Sequence, residues 1–515
     1  MKKIFIYLAI AGASLLASGC QDWLDVLPKN EQTAAEYWKT KEQVTESLAQ
    51  GYSNMRATVP LLIKWGELRG GSIYAYAGNS MQQLQNFQLT PSSGEAKWGA
   101  FYSVLNVANS VIKFAPEVRN HDETYHEAVM NSHMAEAYFM RAWAYFTLVR
   151  NFKEVPLILE PYMTDEHSID VPKSSEEVII AQIKSDIKAA LDSGAAKEFY
   201  DDDEWEGMSK GRVTVWALYA LMADVCLWNE DYADCVKYVD LITESDATFR
   251  PAFVEDPEQW FSIFNPGNSN GSVFELNFQT TTLLQDANSP SSFYPWGKSS
   301  VNSVQYSKAM CQRLFDEAIY ESNIRGLLGT FNTLSGKLTT NVNYYFIWKF
   351  QGMSMQLDAQ RDNKDANWIL YRMADVLLMK AEALIWQEGT ANYTEALKLI
   401  DRIRTRAGVP TISKNVAPAS VSQEEMLQYV LHERDMELAA EGKRWYDLMR
   451  FGKSKNYKYK DAFIEEIVEN NASVTAKWIR SVLKNTYAWY LPIHQDEIER
   501  NPLLVQNPYY DVTVN

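Results

Sequence analysis

The chain has 515 residues, of which 46% are apolar and 22% are charged, a composition typical of folded, water-facing proteins that excludes wholesale disorder and a polytopic membrane protein. Lys and Arg number 49 against 66 Asp and Glu, which leaves a net charge of −17. This balance argues against nucleic acid as a partner, because an acidic chain repels phosphate. The 16 Trp, 29 Tyr and 21 Phe residues are an aromatic surplus suited to wet contact surfaces.

The N-terminus has the pattern of a lipoprotein signal peptide. Two lysines follow Met1, residues 4–16 form an apolar run too short to be a stable membrane span, and Ala17-Ser18-Gly19-Cys20 is a small-residue cleavage site that ends in cysteine. We therefore expect residues 1–19 to be removed and Cys20 to be lipidated, so that the mature protein is anchored to a membrane without crossing it. The alternative is a plain secretory signal with an incidental cysteine.

Several later segments have the patterns of buried helices. Residues 128–149 place alanines between aromatic rings and are apolar on nearly every face, which is typical of a helix packed on all sides. Two pairs of helices joined by a short turn are also predicted, at 213–228 with 232–242 and at 367–386 with 393–406. Tyr232 and Tyr393 each stand one helical turn before a small residue, as in tetratricopeptide repeats.

Three cysteines remain after Cys20: Cys226, Cys235 and Cys311. A chain of this size needs no disulfides for stability, so buried free thiols are the favoured interpretation. A pair between Cys226 and Cys235, which flank the turn between two predicted helices, stays open.

Two long stretches differ from the helical blocks. Residues from about 60 to 97 are rich in Gly, Ser, Asn, Gln and Tyr, and residues 251–366 contain several prolines and one clear strand at 272–278. Long irregular segments within a compact fold are usually functional. The sequence thus predicts one domain over 20–515, with a helical scaffold at about 20–60, 98–250 and 367–515 and a loop-rich ligand-binding part at about 60–97 and 251–366.

The tests for enzyme chemistry give no catalytic residue. Gly267-x-Ser269-x-Gly271 has the letters of a nucleophile elbow but precedes a strand, so a polar loop is the better interpretation. The three histidines between 121 and 133 lack a metal-binding motif, and the acidic run at 201–204 lacks the alternation of a calcium loop. Neither a cofactor nor a metal site is therefore predicted, although a structural Ca²⁺ and a glycosidase carboxylate pair both stay open.

The densest polar signal lies near the C-terminus. Glu433, Glu437 and Glu441 stack at i+4 spacing on one predicted face, which is repulsive unless cations lie opposite. Arg372 and the arginines at 402–406 can supply those cations. We interpret this set as a structural charge network that joins the last helices, rather than as a ligand site.

These segments resemble the SusD/RagB family of Bacteroidetes outer-membrane lipoproteins. The resemblance lies in Arg141-Ala142-Trp143-Ala144-Tyr145-Phe146, in residues 372–383, in the pattern E-R-x-x-E-L-x-x-E-G-x-R-W-x-D-L that begins at Glu433, and in residues 490–510. It covers essentially the whole chain, including the lipidation site. Lys153 stands where the family usually has glycine and His494 where it usually has a second proline, and both departures fall in scaffold motifs.

The resemblance implies a mainly α fold of tetratricopeptide-like helical pairs with long irregular ligand-binding loops and a few short strands. It also implies an outer-membrane protein that faces the cell exterior and pairs with a SusC-like TonB-dependent transporter. Such proteins capture nutrients, most often oligosaccharides and in some cases peptides, and are not enzymes. A surface glycosidase or esterase is the distant alternative.

Candidate ligand contacts come from the two irregular stretches. Capture of a sugar in water requires aromatic rings that stack on it and polar groups that bind its hydroxyls, both held on loops over a rigid support. The residues that meet this description are Arg69, Tyr74, Tyr76 and Asn79 in the first stretch and Phe293, Tyr294 and Trp296 in the second. The alternative for any one of these rings is that it packs its own loop.

Overall fold

The computed structural model describes residues 37–75, 80–163, 170–200, 210–278, 286–294, 304–316, 324–333, 345–356, 359–471 and 476–511. Within these ranges the chain is mostly helical, with seventeen α-helices and eight short strands. The mainly α fold that the sequence predicts is therefore confirmed.

The first eight helices cover the N-terminal half of the chain. They are α1 Lys41–Ala57, α2 Val59–Glu67, α3 Met81–Gln85, α4 Gly99–Arg119, α5 Glu127–Phe152, α6 Glu176–Asp192, α7 Val215–Trp228 and α8 Tyr232–Thr243. The other nine are α9 Pro290–Phe293, α10 Lys308–Asp316, α11 Met373–Trp386, α12 Thr390–Ala407, α13 Gln423–Glu437, α14 Arg444–Tyr457, α15 Lys460–Asn470, α16 Ala476–Leu483 and α17 Gln495–Arg500.

The helices stack as successive neighbours. Helix α4 lies between α1 and α5, α5 packs on α6, and α7 and α8 form a hairpin whose second helix contacts α11. Helices α11 and α12 form another hairpin, which α13 covers. The predicted helix at 128–149 and the pair at 213–228 with 232–242 are thus confirmed, because rings and small alanines on every face suit helices with neighbours on all sides. The pair at 367–386 with 393–406 is confirmed only from Met373 onward, because residues 368–372, predicted as helix, form a short strand.

The strands pair only in twos within the described residues. They are β1 Ile73–Ala75, β2 Val155–Pro156, β3 Lys173–Ser174, β4 Ser272–Leu276, β5 Val304–Tyr306, β6 Phe331–Asn332, β7 Phe346–Ile347 and β8 Trp368–Arg372. The antiparallel pairs are β1 with β5, β2 with β3, β4 with β8 and β6 with β7. Strand β4 confirms the strand that the sequence predicts at 272–278, and β8 leads directly into α11.

The first irregular stretch begins later than the sequence predicts. Helix α2 occupies Val59–Glu67, inside the segment that we expected to be loop-rich from about residue 60. Pro60 stands in its first turn, where the missing N–H has no intrahelical partner to lose. The prediction was wrong here because a proline that starts a helix was interpreted as the start of a loop.

Residues 267–271, which match the nucleophile-elbow motif, form a polar loop, as predicted. Gly267 has φ of +83°, and the Asn268 N–H donates to the Glu275 carboxylate at 3.0 Å, which fastens the loop to strand β4. Cys226, Cys235 and Cys311 are buried free thiols, which confirms the favoured interpretation over a disulfide. The acidic run at 201–204 lies outside the described residues.

The C-terminal charge network is present and buried. Arg372 donates to Glu437 Oε1 at 2.7 Å and to Glu441 Oε2 at 2.7 Å. Lys349 donates to Glu441 Oε1 at 2.6 Å, and Arg325 donates to Glu433 Oε1 at 2.6 Å. These contacts join the α12–α13 region to β8 and to the loop-rich part, so the predicted structural role is confirmed. Burial opposes ionisation of Glu437, but the surrounding arginines outweigh it and hold its pKa below the usual range.

The structure shows the local geometry at Lys153 and His494, the two positions where the sequence departs from the family pattern. Lys153, at the end of α5, has φ of +67° and ψ of −51°, a backbone conformation that glycine adopts without strain and a side chain does not. Its ammonium lies 4.9 Å from the ring centre of Tyr487. His494 precedes α17, and its Nδ1 accepts from the Asp496 N–H at 3.2 Å, so this imidazole caps the helix.

One further buried carboxylate is hydrogen-bonded by backbone N–H groups instead of arginines. Glu67, at the end of α2, is 1% exposed, and its Oε1 accepts from the backbone N–H groups of Gly442 and Lys443 at 2.7 and 3.1 Å. Its Oε2 has no hydrogen-bond partner within the described structure. Burial, with the nearby Asp435 carboxylate, raises the pKa of Glu67 to about 8 despite those two donors.

We expect Glu67→Gln to stabilise the protein at pH 9 and to destabilise it at pH 5, where the native carboxyl is already protonated and the cost of the unpartnered amide dominates. Between about pH 4.5 and 8 the native carboxyl keeps a proton that the unfolded chain loses, so native stability falls as the pH rises through this window. One pKa unit corresponds to about 1.4 kcal/mol, and an amide N–H₂ left without an acceptor costs about 1–3 kcal/mol. The expected net gain at pH 9 is therefore about 2 kcal/mol, measured by urea unfolding at both pH values. An equal effect at pH 5 and 9 would contradict it.

Candidate ligand-binding site

The two irregular stretches meet at a small sheet that we call the β1–β5 platform. It consists of β1, β5 and the neighbouring Tyr345. Tyr74 pairs with Gln305 across the antiparallel strands, and the Tyr306 N–H donates to the Tyr345 carbonyl at 3.0 Å. The sequence predicts two separate candidate stretches, and the structure brings Tyr74 of the first against β5 of the second.

Glutamine side chains hold β1 in place. The Ala75 N–H donates to Gln85 Oε1 at 2.7 Å, and the Ala75 carbonyl accepts from Gln82 Nε2 at 3.2 Å. Both glutamines belong to α3, the short helix that follows in the chain. Side-chain amides can replace a neighbouring strand because each carries both a donor and an acceptor. Strand β1 is therefore held at Ala75 by side chains of α3, the helix that follows it in the chain.

The Gln305 side chain links Tyr74 to Tyr345 on the platform. Gln305 Nε2 donates to the Tyr74 hydroxyl at 2.7 Å, and Gln305 Oε1 accepts from the Tyr345 N–H at 2.9 Å. Tyr74 is half-buried, whereas Gln305 and Tyr345 are buried. The Tyr345 hydroxyl, close enough to Tyr74 to interact with it, has no hydrogen-bond partner among the described residues.

Sequence reasoning missed Gln305 and Tyr345. Both lie in the irregular part at 251–366, but neither belongs to the aromatic cluster around residue 295 that drew attention to that part. The available signal was the β-branched and aromatic residues at 304–306 and 345–347, which are typical of short strands.

The structure corrects the assignment of Arg69. Its guanidinium is 2% exposed, donates to the Trp489 carbonyl at 2.7 Å and lies 4.1 Å from the ring centre of Trp445. Burial lowers the pKa of Arg69 to about 10, which leaves it protonated at neutral pH. Arg69 therefore joins the loop to the C-terminal helices and has no surface with which to contact a ligand.

Tyr294 is corrected in the same way. It is 1% exposed, its hydroxyl donates to the Ala440 carbonyl at 3.2 Å, and its ring stacks on Phe350 with 5.7 Å between centres. Phe293 is half-buried and packs edge-on against Tyr294 at 5.2 Å. Of these two rings, only Phe293 keeps exposed surface.

Two family models match this chain and together span most of it. The model described as "SusD family" matches residues 322–510, and the model described as "Starch-binding associating with outer membrane" matches residues 22–227. The chain belongs to the SusD family.

Among curated SusD relatives, "SusD-like protein P38" of Formosa agariphila is 26% identical over 488 residues, which cover 88% of this chain and 92% of the relative. The fold resembles a solved SusD superfamily protein of Bacteroides thetaiotaomicron, with a TM-score of 0.72, 22% identity and coverage of 92% and 99% of the two chains.

Two further solved structures share this fold. One is described as a laminarin-binding SusD-like protein, with a TM-score of 0.67, 22% identity and coverage of 91% of this chain and 99% of the other. The other is surface glycan-binding protein A from Bacteroides uniformis, with a TM-score of 0.69, 21% identity and coverage of 91% and 100%.

The remaining candidate residues of this SusD-family chain are Tyr76, Asn79 and Trp296, and they lie outside the described residues. In the chain, Tyr76 directly follows β1, and Trp296 belongs to the segment at 295–303 that directly precedes β5. Ala75 and Val304 are register partners in the sheet. Both segments are therefore attached at the same end of the β1–β5 platform.

Clusters of metal-ligating side chains and membrane-spanning helices are both absent from the described residues. No group of three or more His, Cys, Asp or Glu side chains within them has the arrangement of a metal site. None of their helices combines the length and the apolar character required to cross a bilayer.

Proposed function

We propose that this SusD-family protein is a cell-surface lipoprotein, anchored in the outer membrane through Cys20, that captures oligosaccharides at the β1–β5 platform. It delivers them to a SusC-like TonB-dependent transporter for import. Family membership supports the role, and the lipoprotein pattern at residues 1–20 supports the anchor. Two solved relatives of the same fold that are described as binding laminarin or surface glycans support a glycan as the ligand.

The observation that carries the location of the site is the half-buried Tyr74 beside the unpartnered Tyr345 hydroxyl. A sugar ring presents apolar C–H faces and equatorial hydroxyls, so it requires a stacking surface and polar groups within reach of each other. Tyr74 offers the edge of such a surface, held by Gln305, and Tyr345 offers a hydroxyl. Tyr76, Asn79 and Trp296 belong to the segments attached at that end of the sheet.

We expect Trp296→Ala to weaken oligosaccharide binding at least tenfold, roughly 1.4 kcal/mol, without changing thermal stability, because the proposed role of this ring is to stack on the ligand. Isothermal titration calorimetry against a panel of oligosaccharides, including laminarin fragments, measures the effect. The control is Phe249→Ala, which removes an exposed ring on the helical scaffold. Equal binding by the Trp296 variant and the parent would remove Trp296 from the site.

The same titrations separate the alternatives. Binding of a peptide mixture by a protein that binds no glycan would replace oligosaccharide capture with peptide capture. Sustained release of reducing sugar from any glycan would show a glycosidase instead. Binding of a glycan without turnover is the result that supports the proposal.

A further inference from the structure

An open groove lies on the helical scaffold between α6, α7 and α8, apart from the β1–β5 platform. Its volume is about 860 Å³. The end of α6 and the segment at 194–198 form one wall, the start of α7 forms the floor, and α8 with residues 244–245 forms the other wall. The lining residues that could contact a ligand are Glu198, Trp216, Tyr219, Lys237, Leu241 and Glu244.

Helix α8 has one face toward its neighbours and another toward the groove. Cys235, Val239 and Ile242 are buried on the side where α8 contacts α7 and α11. The groove face carries residues 233, 236, 237, 240, 241 and 244, a spacing that follows one side of a helix. Leu241 on this face is 40% exposed. Helix α8 therefore presents apolar surface to solvent along the groove.

Aromatic rings form the floor of the groove. Trp216 is buried, and its indole N–H donates to the Glu198 carbonyl at 3.1 Å, which fastens the 194–198 wall to α7. The half-buried Tyr219 lies 6.2 Å from Trp216 and 6.2 Å from Tyr238, measured between ring centres. Tyr219 is thus held by a ring on each side while part of it stays open to solvent, as a stacking surface for a sugar requires.

Polar groups stand on both walls. Burial and the nearby Glu198 carboxylate raise the pKa of Tyr219, so its hydroxyl stays protonated at neutral pH and can donate. Glu198 is exposed on one side of the groove, and Lys237 and Glu244 are exposed on the other. Sugar hydroxyls both donate and accept hydrogen bonds. The carboxylates, the ammonium and the phenol together supply the acceptors and donors that such hydroxyls need.

We propose that this groove is a second oligosaccharide-binding site, separate from the β1–β5 platform. Its floor provides a stacking surface, its walls provide polar groups, and the helices provide rigid support. A peptide is the less favoured occupant, because Lys237 and Asp240 interrupt the apolar face of α8 and leave no continuous stripe for a peptide's apolar side chains. Two sites on one chain can hold a long glycan at two points and raise its apparent affinity. The inference rests on the proposed function for the class of ligand, but no groove residue belongs to the platform.

The test is isothermal titration calorimetry of the full chain with laminarihexaose, maltohexaose and xylohexaose. Ala233 is exposed on the groove face, so Ala233→Trp fills the groove without entering the core. We expect Trp296→Ala to retain one binding site, and Trp296→Ala/Ala233→Trp to lose at least about tenfold in affinity at that site. Tyr219→Phe, which removes only the hydroxyl, should also weaken it.

The matched control is Ala391→Trp. Ala391 is the exposed second residue of α12, as Ala233 is of α8, so the same ring is added at an equivalent helix position away from the groove. Trp296→Ala/Ala391→Trp should bind as Trp296→Ala does. Thermal unfolding of each variant checks that the chain stays folded.

The outcomes separate this inference from the proposed function. Glycan binding that Trp296→Ala abolishes and Ala233→Trp leaves unchanged overturns the groove site and keeps the platform. Glycan binding that Ala233→Trp weakens and Trp296→Ala leaves unchanged supports the groove and removes Trp296 from the platform. Absence of binding of all three glycans by the parent overturns the groove site, whereas the proposed function fails only if its wider panel fails too. A peptide mixture that binds the parent but not Ala233→Trp assigns the groove to a protein partner and overturns the inference.

Discussion

Replacing Arg372 with methionine is expected to destabilise the protein by about 3–5 kcal/mol, the cost typical of removing one partner from a buried ionic cluster. Arg372 is 1% exposed and donates to Glu437 at 2.7 Å and to Glu441 at 2.7 and 2.9 Å. Without it, Lys349 remains as a partner of Glu441, and Arg406 and Arg325 remain near Glu437. The loss is large because two carboxylates stay buried with fewer donors and cannot reach water.

The measurement is urea unfolding of the parent and the variant at pH 7. The matched control is Arg480→Met, which breaks a two-point ion pair with Glu465 that is exposed on both sides. Exposed pairs contribute at most about 1 kcal/mol. A loss of similar size in both variants would contradict the expectation, because Arg372 is buried between two carboxylates and Arg480 is exposed beside one. If Arg372→Met fails to fold, Arg372→Lys, which keeps the charge but not the fork, should fold with part of the loss.

The same cluster shows why the scaffold could be predicted from the sequence. Three glutamates at i+4 spacing require cations, whichever fold brings them, and Arg372 and the arginines at 402–406 were the predicted candidates. Of these, Arg402 pairs with Glu255 instead. Likewise, a helix with alanine and aromatic residues on every face is predicted to have other elements packed on all of its sides. In both cases the local sequence pattern is compatible with one arrangement only: cations opposite the glutamates, and neighbouring elements around the helices. Lys349 and Arg325, which also join the cluster, come from the loop-rich part, where no local pattern places them.

The candidate site was less predictable because the residue types found there can have more than one role. Arg69 and Tyr294 have the residue types of ligand contacts, but the Trp489 carbonyl and the Ala440 carbonyl bind them from distant parts of the chain. A polar or aromatic residue in a loop can serve either a ligand or its own fold, and only the tertiary contacts decide. Tyr74 is only half-buried because it lies between two buried residues of β1, and successive side chains of a strand point to opposite faces.

Replacing Gly66 with alanine is expected to destabilise the protein by about 3 kcal/mol, although glycine to alanine within a helix normally stabilises by up to about 1 kcal/mol. A Cβ at Gly66 would lie 2.1 Å from the Gly442 carbonyl oxygen and 2.5 Å from the carbonyl carbon. Helix α2 therefore touches the backbone of the loop between α13 and α14. Backbone cannot move aside as a flexible side chain can.

Gly442 is itself held in place, which is why the strain cannot relax. Its φ is +73°, its N–H donates to Glu67 at 2.7 Å, and a Cβ at this position would lie 2.9 Å from the Trp368 ring. The matched control is Gly99→Ala, at the first position of α4, where a Cβ meets nothing within 4 Å. Thermal unfolding should show a lower midpoint for the Gly66 variant and an unchanged or slightly higher one for the Gly99 variant. A Gly66 variant as stable as the parent would mean that α2 and this loop are farther apart than the backbone contact requires.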